Sequence, residues 1–377
     1  MTRVRFGDVV NDIKVNVDRQ NNPYDIYVAG DHMDSEDLTL HRWGSFATDD
    51  VGPAFIRIFK PGQVLYGSRR TYLKKIVVAP FEGITANTTF VLETKNEDEF
   101  SQRLLPFIML SDDFTEWSIR KSKGSTNPYV LFSDLADYEF DLPSPEEQRR
   151  LADKLWAAYE LKEAYKKMIA ATDEMVKAQF IEMFGTVDFN EKGWELSSFG
   201  EQFAISSGGT PDTKNEEYWH NGSISWIGSN MCQNCILENN DGKYITQEGY
   251  KHCSAKLYKP ETILIALVGA TIGKVAFLKF ETATNQNVAG IEVIDRNSFE
   301  PMFIYYLLQN MYNRFFMLGM GKFKMASLSF IKSLTLICPP IKLQQQFIAI
   351  AEQADKSKSE LRQAIEKIDR VMKSLMQ

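Results

Sequence analysis

Apolar residues recur at alternating steps of four and three in two long stretches of the chain, with shorter period-two runs between them. The first stripe is Leu151, Leu155, Ala158, Lys162, Tyr165, Ile169, Thr172, Val176 and Gln179. The second is Phe347, Ala351, Ala354, Lys358, Leu361, Ile365, Ile368, Met372 and Leu375. The stripes superpose at a constant offset of 196 residues, and each carries a lysine at its fourth step. This spacing keeps one helix face apolar over many turns, as a coiled-coil seam requires. Prolines mark both starts, in Leu142-Pro143-Ser144-Pro145-Glu146-Glu147-Gln148 and Cys338-Pro339-Pro340-Ile341-Lys342-Leu343-Gln344. A missing N–H costs a helix nothing at its first turn. Neither stretch then contains Pro or Gly, and Gly185 supplies a stop for the first. The pattern predicts helices over about 146–184 and 342–377 whose seams pack on each other.

The stretches outside the helices read as strands and turns, for example Val64-Leu65-Tyr66, Ile263-Leu264-Ile265 and Ala289-Gly290-Ile291-Glu292-Val293, with helical patches near 97–111 and 300–317. They repeat as well. Phe6-Gly7-Asp8 answers Phe199-Gly200-Glu201, and Lys60-Pro61-Gly62-Gln63-Val64-Leu65 answers Lys259-Pro260-Glu261-Thr262-Ile263-Leu264. Ile84-Thr85-Ala86-Asn87 answers Ala283-Thr284-Asn285-Gln286, and Gly124-Ser125-Thr126 answers Gly321-Lys322-Phe323. The expected fold is α+β: two α/β globular units, 1–141 and 185–338, separated by two long antiparallel helices, 142–184 and 339–377, forming a coiled coil. The whole is a pseudo-two-fold repeat.

Length and composition agree with two packed domains, since 377 residues at 44% hydrophobic and 12% aromatic can bury real cores. Charge changes the picture more. The net value is −7, and the four segments carry −6, −1, −2 and +2 in chain order, so none is a basic domain. Any nucleic-acid face must be local, with weak grip on free DNA unless a partner supplies phosphate contacts. The longest apolar stretch, Ile263 to Gly269, is far short of a bilayer span, and Met1 to Asp8 contains no apolar signal segment. Four cysteines give no disulfide framework. The expected compartment is the cytoplasm, with no membrane partner.

The sequence carries no complete catalytic motif. Gly269-Ala270-Thr271-Ile272-Gly273-Lys274-Val275 has three residues between its glycines where a phosphate-binding P-loop needs four, and Val275 stands where Ser or Thr would hold magnesium. Thr126-Asn127-Pro128-Tyr129 lacks the second proline of an adenine-methyltransferase loop, and no glycine-rich cofactor turn precedes it. His32, His41, His220 and His252 have no nucleophile partner in sequence. Cys232, Cys235, His252 and Cys253 have zinc-ligand chemistry, but the second pair is adjacent in sequence and the first unit has no counterpart. No catalytic residue, metal or cofactor is expected.

What remains is recognition chemistry. Arg69, Arg70, Thr71, Lys74 and Lys75 surround Tyr72 in a loop between strands, and Arg120, Lys123, Ser125 and Asn127 form a second cationic loop. In the second unit the candidates are Ser206, Gly208, Gly209 and Thr210 in a turn rich in small donors, Thr271 and Lys274, and Lys322 and Lys324 in a flexible basic run. Arg and Lys grip phosphate or read guanine, while Asn and Gln read adenine.

The second unit also resembles the target-recognition domain of type I restriction–modification specificity subunits. The resemblance rests on Gly193-Trp194-Glu195-Leu196, Gly208-Gly209-Thr210-Pro211, Tyr218-Trp219, Ile224-Ser225-Trp226-Ile227, Ile245-Thr246-Gln247-Glu248-Gly249, Ser254-Ala255-Lys256-Leu257, Ala270-Thr271-Ile272-Gly273-Lys274 and Thr284-Asn285-Gln286. Pro143 to Gln148 and Pro339 to Gln345 resemble the openings of that family's two helical repeats. The first unit lacks the Gly-Gly-Thr-Pro turn. The resemblance implies a non-catalytic subunit that binds double-stranded DNA. It implies two methyltransferase subunits using S-adenosylmethionine as partners, with motor–nuclease subunits in the full complex. Each globular unit would read half of a bipartite interrupted site. The rival reading, which the acidic first unit favours, is a coiled-coil adaptor with repeated protein-binding domains and no DNA role.

Overall fold

In the computed structural model, residues 2–319 and 325–376 are described. The chain forms two compact units, one of Met1–Lys166 with Arg362–Gln377 and one of Lys167–Leu361, so each unit contains part of both long helices. The helices run over Pro145–Phe184 and Ile341–Met376. No described helix is long and apolar enough to cross a membrane.

The first unit contains β1 (Thr2–Arg5), β2 (Val10–Asp12), β3 (Ile26–Val28), β4 (Gly44–Ser45) and β5 (Phe55–Phe59). There follow β6 (Val64–Gly67), β7 (Ile76–Val78), β8 (Gly83–Ala86), β9 (Thr89–Thr94) and β10 (Glu139–Leu142). They pair as β2-β9-β6-β7, as β4-β3-β8-β5 and as a β1-β10 ribbon. Val64, Leu65 and Tyr66 are buried without alternation because β6 is covered on both faces. The expected helical patch at 97–111 is instead two short helices, Leu105–Leu110 and Asp112–Lys121. The chain breaks between them because the Ser111 side chain caps the second helix at the Phe114 N–H.

The second unit contains β11 (Glu195–Ser198), β12 (Phe203–Ser207), β13 (Ile224–Ile227), β14 (Cys235–Leu237), β15 (Tyr244–Ile245) and β16 (Leu257–Tyr258). It continues with β17 (Ile263–Ala266), β18 (Val275–Leu278), β19 (Thr282–Thr284), β20 (Val288–Val293) and β21 (Thr335–Cys338). These pair as β12-β20-β17-β18-β14, β15-β13-β19-β16 and β11-β21. Apart from the added β14, this is strand for strand the order of the first unit. The expected patch at 300–317 forms as Pro301–Asn310 and Tyr312–Gly319.

Each long helix is anchored at its start by one buried glutamine. Gln148 is 1% exposed; its amide nitrogen donates to the Glu99 and Pro143 carbonyls, and its oxygen accepts from Ser101 N–H. Gln344, fully buried, does the same with Ser298, Pro339 and Glu300. A buried amide with its bonds made stabilises; one left unpaired would be costly. Ser144 and Glu147 add reciprocal hydrogen bonds at the first helix start. That helix ends at Gly185, whose φ of 73° only glycine adopts cheaply, with its N–H donating to the Ile181 carbonyl.

The heptad stripes face inward in each unit. In the first, Leu151, Leu155 and Tyr159 pack in one cluster with Ile368, Met372 and Leu375. In the second, Val176, Phe180 and Phe184 pack with Phe347, Ala351 and Ala354. The two stripe lysines are ion-paired across these seams. Lys162 lies 2.5 Å from Asp369 within the first unit, and Lys358 lies 2.6 Å from Asp173 within the second. Burial alone would lower the Lys358 pKa, yet Asp173 and Asp355 hold it above the ordinary lysine value. A lysine in an apolar seam is tolerated because its stem packs while its ammonium finds a carboxylate.

Candidate nucleic-acid interface

In the first unit, the chain leaves β6 and turns tightly before β7. The Ser68 N–H and hydroxyl both donate to the Thr88 carbonyl, at 3.2 and 2.6 Å. Val130 N–H donates to the Ser68 carbonyl at 3.0 Å, and Arg70 N–H to the Pro128 carbonyl at 2.7 Å. Lys123 and Tyr129 exchange backbone hydrogen bonds of 2.8 and 2.9 Å, closing the loop around Ser125 and Asn127. The two cationic loops found in the sequence are thus fastened side by side.

Their side chains divide into two groups. Lys74 lies 3.2 Å from Glu36 and 3.3 Å from Asp112, Lys75 donates to the Gly30 carbonyl at 2.5 Å, and Lys123 lies 2.9 Å from Asp134. Asp112 is held below the ordinary carboxylate value by the hydrogen bond from Lys373 and, against burial, by that from Lys74. Thr71 is buried, its hydroxyl 3.3 Å from that of Ser122. These groups are engaged inside the fold. Arg120 is exposed and rests over the Trp117 ring at 5.6 Å. Arg69 and Arg70 are exposed, and neither has an ion-pair partner among the described residues. Ser125 and Asn127 are exposed at the loop tip.

The second unit fastens the equivalent loop the same way. Leu267 N–H donates to the Asn287 carbonyl at 2.9 Å, Ala326 N–H donates to the Leu267 carbonyl at 2.8 Å, and Val268 bridges Met325. Thr271 and Lys274 are half-buried, and the Lys274 ammonium donates to Gln233 at 2.9 Å. Ser206 lies in β12, its hydroxyl 3.1 Å from that of Tyr258. Gly208 and Gly209 are buried at a close crossing of chains. A Cβ on Gly208 would stand 2.0 Å from the Thr284 carbonyl oxygen, and one on Gly209 would stand 2.5 Å from Ser254 Oγ. The close approach lets Gly209 N–H donate to the Thr284 carbonyl at 2.8 Å and the Trp226 indole N–H donate to the Gly209 carbonyl at 3.0 Å. The next residue, Thr210, then donates its hydroxyl to Gln286 Oε1 at 2.6 Å, on an exposed turn. Lys322 and Lys324 lie outside the described residues.

Comparison with known proteins shows what the chain is similar to. Residues 191–369 match the family model described as the type I restriction modification DNA specificity domain. The match covers just under half of the chain. The specificity subunit of the type I restriction enzyme MjaIX from Methanocaldococcus jannaschii is 26% identical over 316 residues, covering 79% of this chain and 72% of that protein. The EcoR124I/EcoR124II specificity subunit from Escherichia coli is 30% identical over 125 residues, covering 32% of this chain and 30% of its own length. The fold is shared over the full length with a solved chain from work on complex assembly and conformational transition of the type I R-M system. That match has a TM-score of 0.60 at 19% identity and covers 100% of this chain and 96% of that one. The S subunit from M. genitalium matches at TM-score 0.59 and 14% identity, covering 99% and 95%. The resemblance to type I specificity subunits is borne out.

Within residues 191–369, Gln286 is exposed beside Thr210 and was not among the expected contacts, although Thr284-Asn285-Gln286 marks its turn. In the first unit Tyr72, 54% exposed and two residues after Arg70, and Tyr129, 39% exposed and in bridge pairing with Arg69, lie beside the two arginines although neither was among the expected contacts. Cys232, Cys235, His252 and Cys253 do not gather within reach of one ion among the described residues. Cys232 is fully buried, and that burial pushes its thiol up to about 12. Asp37, His41 and Glu163 do converge in the first unit. The Lys166 ammonium already lies 2.7 Å from Glu163 and 3.8 Å from Asp37, and the Tyr159 hydroxyl donates to Asp37 at 2.6 Å.

Proposed function

We propose that this chain is the DNA-reading subunit of a type I restriction–modification complex, and that it performs no chemistry itself. Each globular unit reads one half of a bipartite, interrupted site in double-stranded DNA. The two long helices, running antiparallel as a coiled coil, set the gap between the halves. The units act as target-recognition domains over 1–141 and 185–338, and the spacers are 142–184 and 339–377. The observation carrying this reading is the repetition in both units of one strand order and one set of loop-fastening hydrogen bonds. Twin scaffolds presenting different loops suit the reading of two different half-sites. The net charge of −7 fits a subunit that relies on partners for phosphate grip.

Those partners are two methyltransferase subunits, joined in the full complex by motor–nuclease subunits. The first long helix supports a docking role. Ala157, Leu161, Ala164, Met168, Ala171, Met175 and Ala178 repeat at steps of four and three, and all are exposed. An apolar heptad stripe left in solvent suits a partner helix. The deciding experiment is selection from a random duplex library by the complex with its methyltransferase. Enrichment of one bipartite motif is expected; no enrichment would favour a protein-binding adaptor instead.

A further inference from the structure

The loop between β6 and β7 places two long cationic residues in an uncommon backbone conformation. Arg70 has φ of 51° and Lys74 has φ of 46°, both left-handed. In the second unit the matching loop between β17 and β18 has Gly269 at 72° and Gly273 at 76°. Glycine is the natural occupant of such positions, and a side chain there is strained. The first unit thus carries long cations at the two positions where the second unit has glycines of positive φ.

The other described non-glycine residues with positive φ have a local reason. Asn190, Asn221 and Asn234 are asparagines, which tolerate this region. Glu36, Lys74 and Glu261 are held by ion pairs, Glu36 with Lys74 at 3.2 Å, Lys74 also with Asp112 at 3.3 Å, and Glu261 with Arg296 at 2.9 Å. Arg70 differs: its side chain is exposed and has no partner among the described residues. Its backbone is fully committed, the N–H donating to Pro128 and the carbonyl accepting from Leu73 N–H at 2.8 Å. A strained, rigidly held residue with an unused guanidinium is built to present that guanidinium outward.

We propose that Arg70 reads a guanine in the half-site bound by the first unit, with neighbouring Arg69 serving as a phosphate contact. This deepens the proposed function and rests on it. A guanidinium fork matches guanine O6 and N7 in the major groove, and a fixed base suits that bidentate geometry. Arg69 sits one residue earlier in bridge pairing with Tyr129, at ordinary backbone angles, and its chemistry needs no such precision.

The test uses the assembled complex with its methyltransferase and compares wild type, Arg70→Gly and Arg69→Ala by motif selection, affinity and salt dependence. Arg70→Gly installs the residue that the second unit uses, so its melting temperature should equal or exceed wild type. The first half-site should lose its preference for guanine at one position by about tenfold or more, with the second half-site unchanged. Arg69→Ala should keep the motif and reduce the salt slope by about one. A wild-type first half-site without guanine overturns the proposal while leaving the proposed function intact. So does Arg70→Gly that keeps its full motif or merely weakens all sequences alike. A wild-type complex that selects no motif at all overturns both.

Discussion

Replacing Gly208 by alanine tests whether the Gly-Gly-Thr-Pro turn is architecture rather than contact surface. The added methyl would stand 2.0 Å from the Thr284 carbonyl oxygen and 2.2 Å from its hydroxyl, and Thr284 is fully buried. The turn must open by more than 1 Å, roughly the gap to ordinary van der Waals contact. Two backbone bonds are then at stake, Gly209 N–H to Thr284 at 2.8 Å and Gly208 N–H to Val288 at 3.3 Å. Overpacking costs about 1–3 kcal/mol and each lost hydrogen bond about 0.5–1.5 kcal/mol, so the expected destabilisation is about 2–6 kcal/mol. Denaturant unfolding by tryptophan fluorescence reads it directly, since the Trp226 indole is bonded to Gly209. Gly30→Ala is the control: a Cβ there meets nothing within 4 Å, and a change within about 0.5 kcal/mol is expected. DNA affinity of the assembled complex should fall as well, because Thr210 loses its hold on Gln286. If Gly208→Ala unfolds no earlier than Gly30→Ala, the steric argument is wrong.

Inserting four residues after Ala170 lengthens the first long helix by about 6 Å. If the helices set the gap, the methylated motif should gain one or two spacer base pairs with unchanged half-sites, whereas an active mutant with the parental gap would show that they do not. Asp37 is pushed up by burial, but hydrogen bonds from Tyr159, Thr39 and His41 and the charge of Lys166 bring it below its ordinary value of 3.8. Its contribution to stability is therefore present above pH 3.8 and lost as the pH falls through the lower folded value. Asp37→Asn should cost about 1–3 kcal/mol at neutral pH and flatten the acid limb of the first unit's stability profile; an unchanged limb argues against it. Cys232 should resist alkylation in the folded chain at pH 8, as its thiol is pushed up to about 12, and modification as fast as in denaturant would contradict that.

The parts legible in the sequence were those governed by local periodicity and punctuation. The stripes from Leu151 and from Phe347 specified two helices because a seam repeat is a one-dimensional signal. Prolines at 145 and 340 and Gly185 marked their ends within one residue. The offset of 196 residues announced that one unit occurs twice, and even paired Gln148 with Gln344 and Lys162 with Lys358. What each residue does there was decided by tertiary structure. Lys74, Lys75, Lys123, Arg69 and Arg70 look alike as cations in loops, and only the carboxylates and carbonyls folded around them separate those engaged in the fold from those facing solvent. Gly208 and Gly209 look like a flexible contact turn, yet they are buried because Thr284 and Ser254, distant in sequence, press against them. Arg70 appears in sequence as one more basic residue. Its left-handed backbone emerges only when Pro128 and Leu73 close around it, because strain at one residue is maintained by hydrogen bonds made elsewhere along the chain.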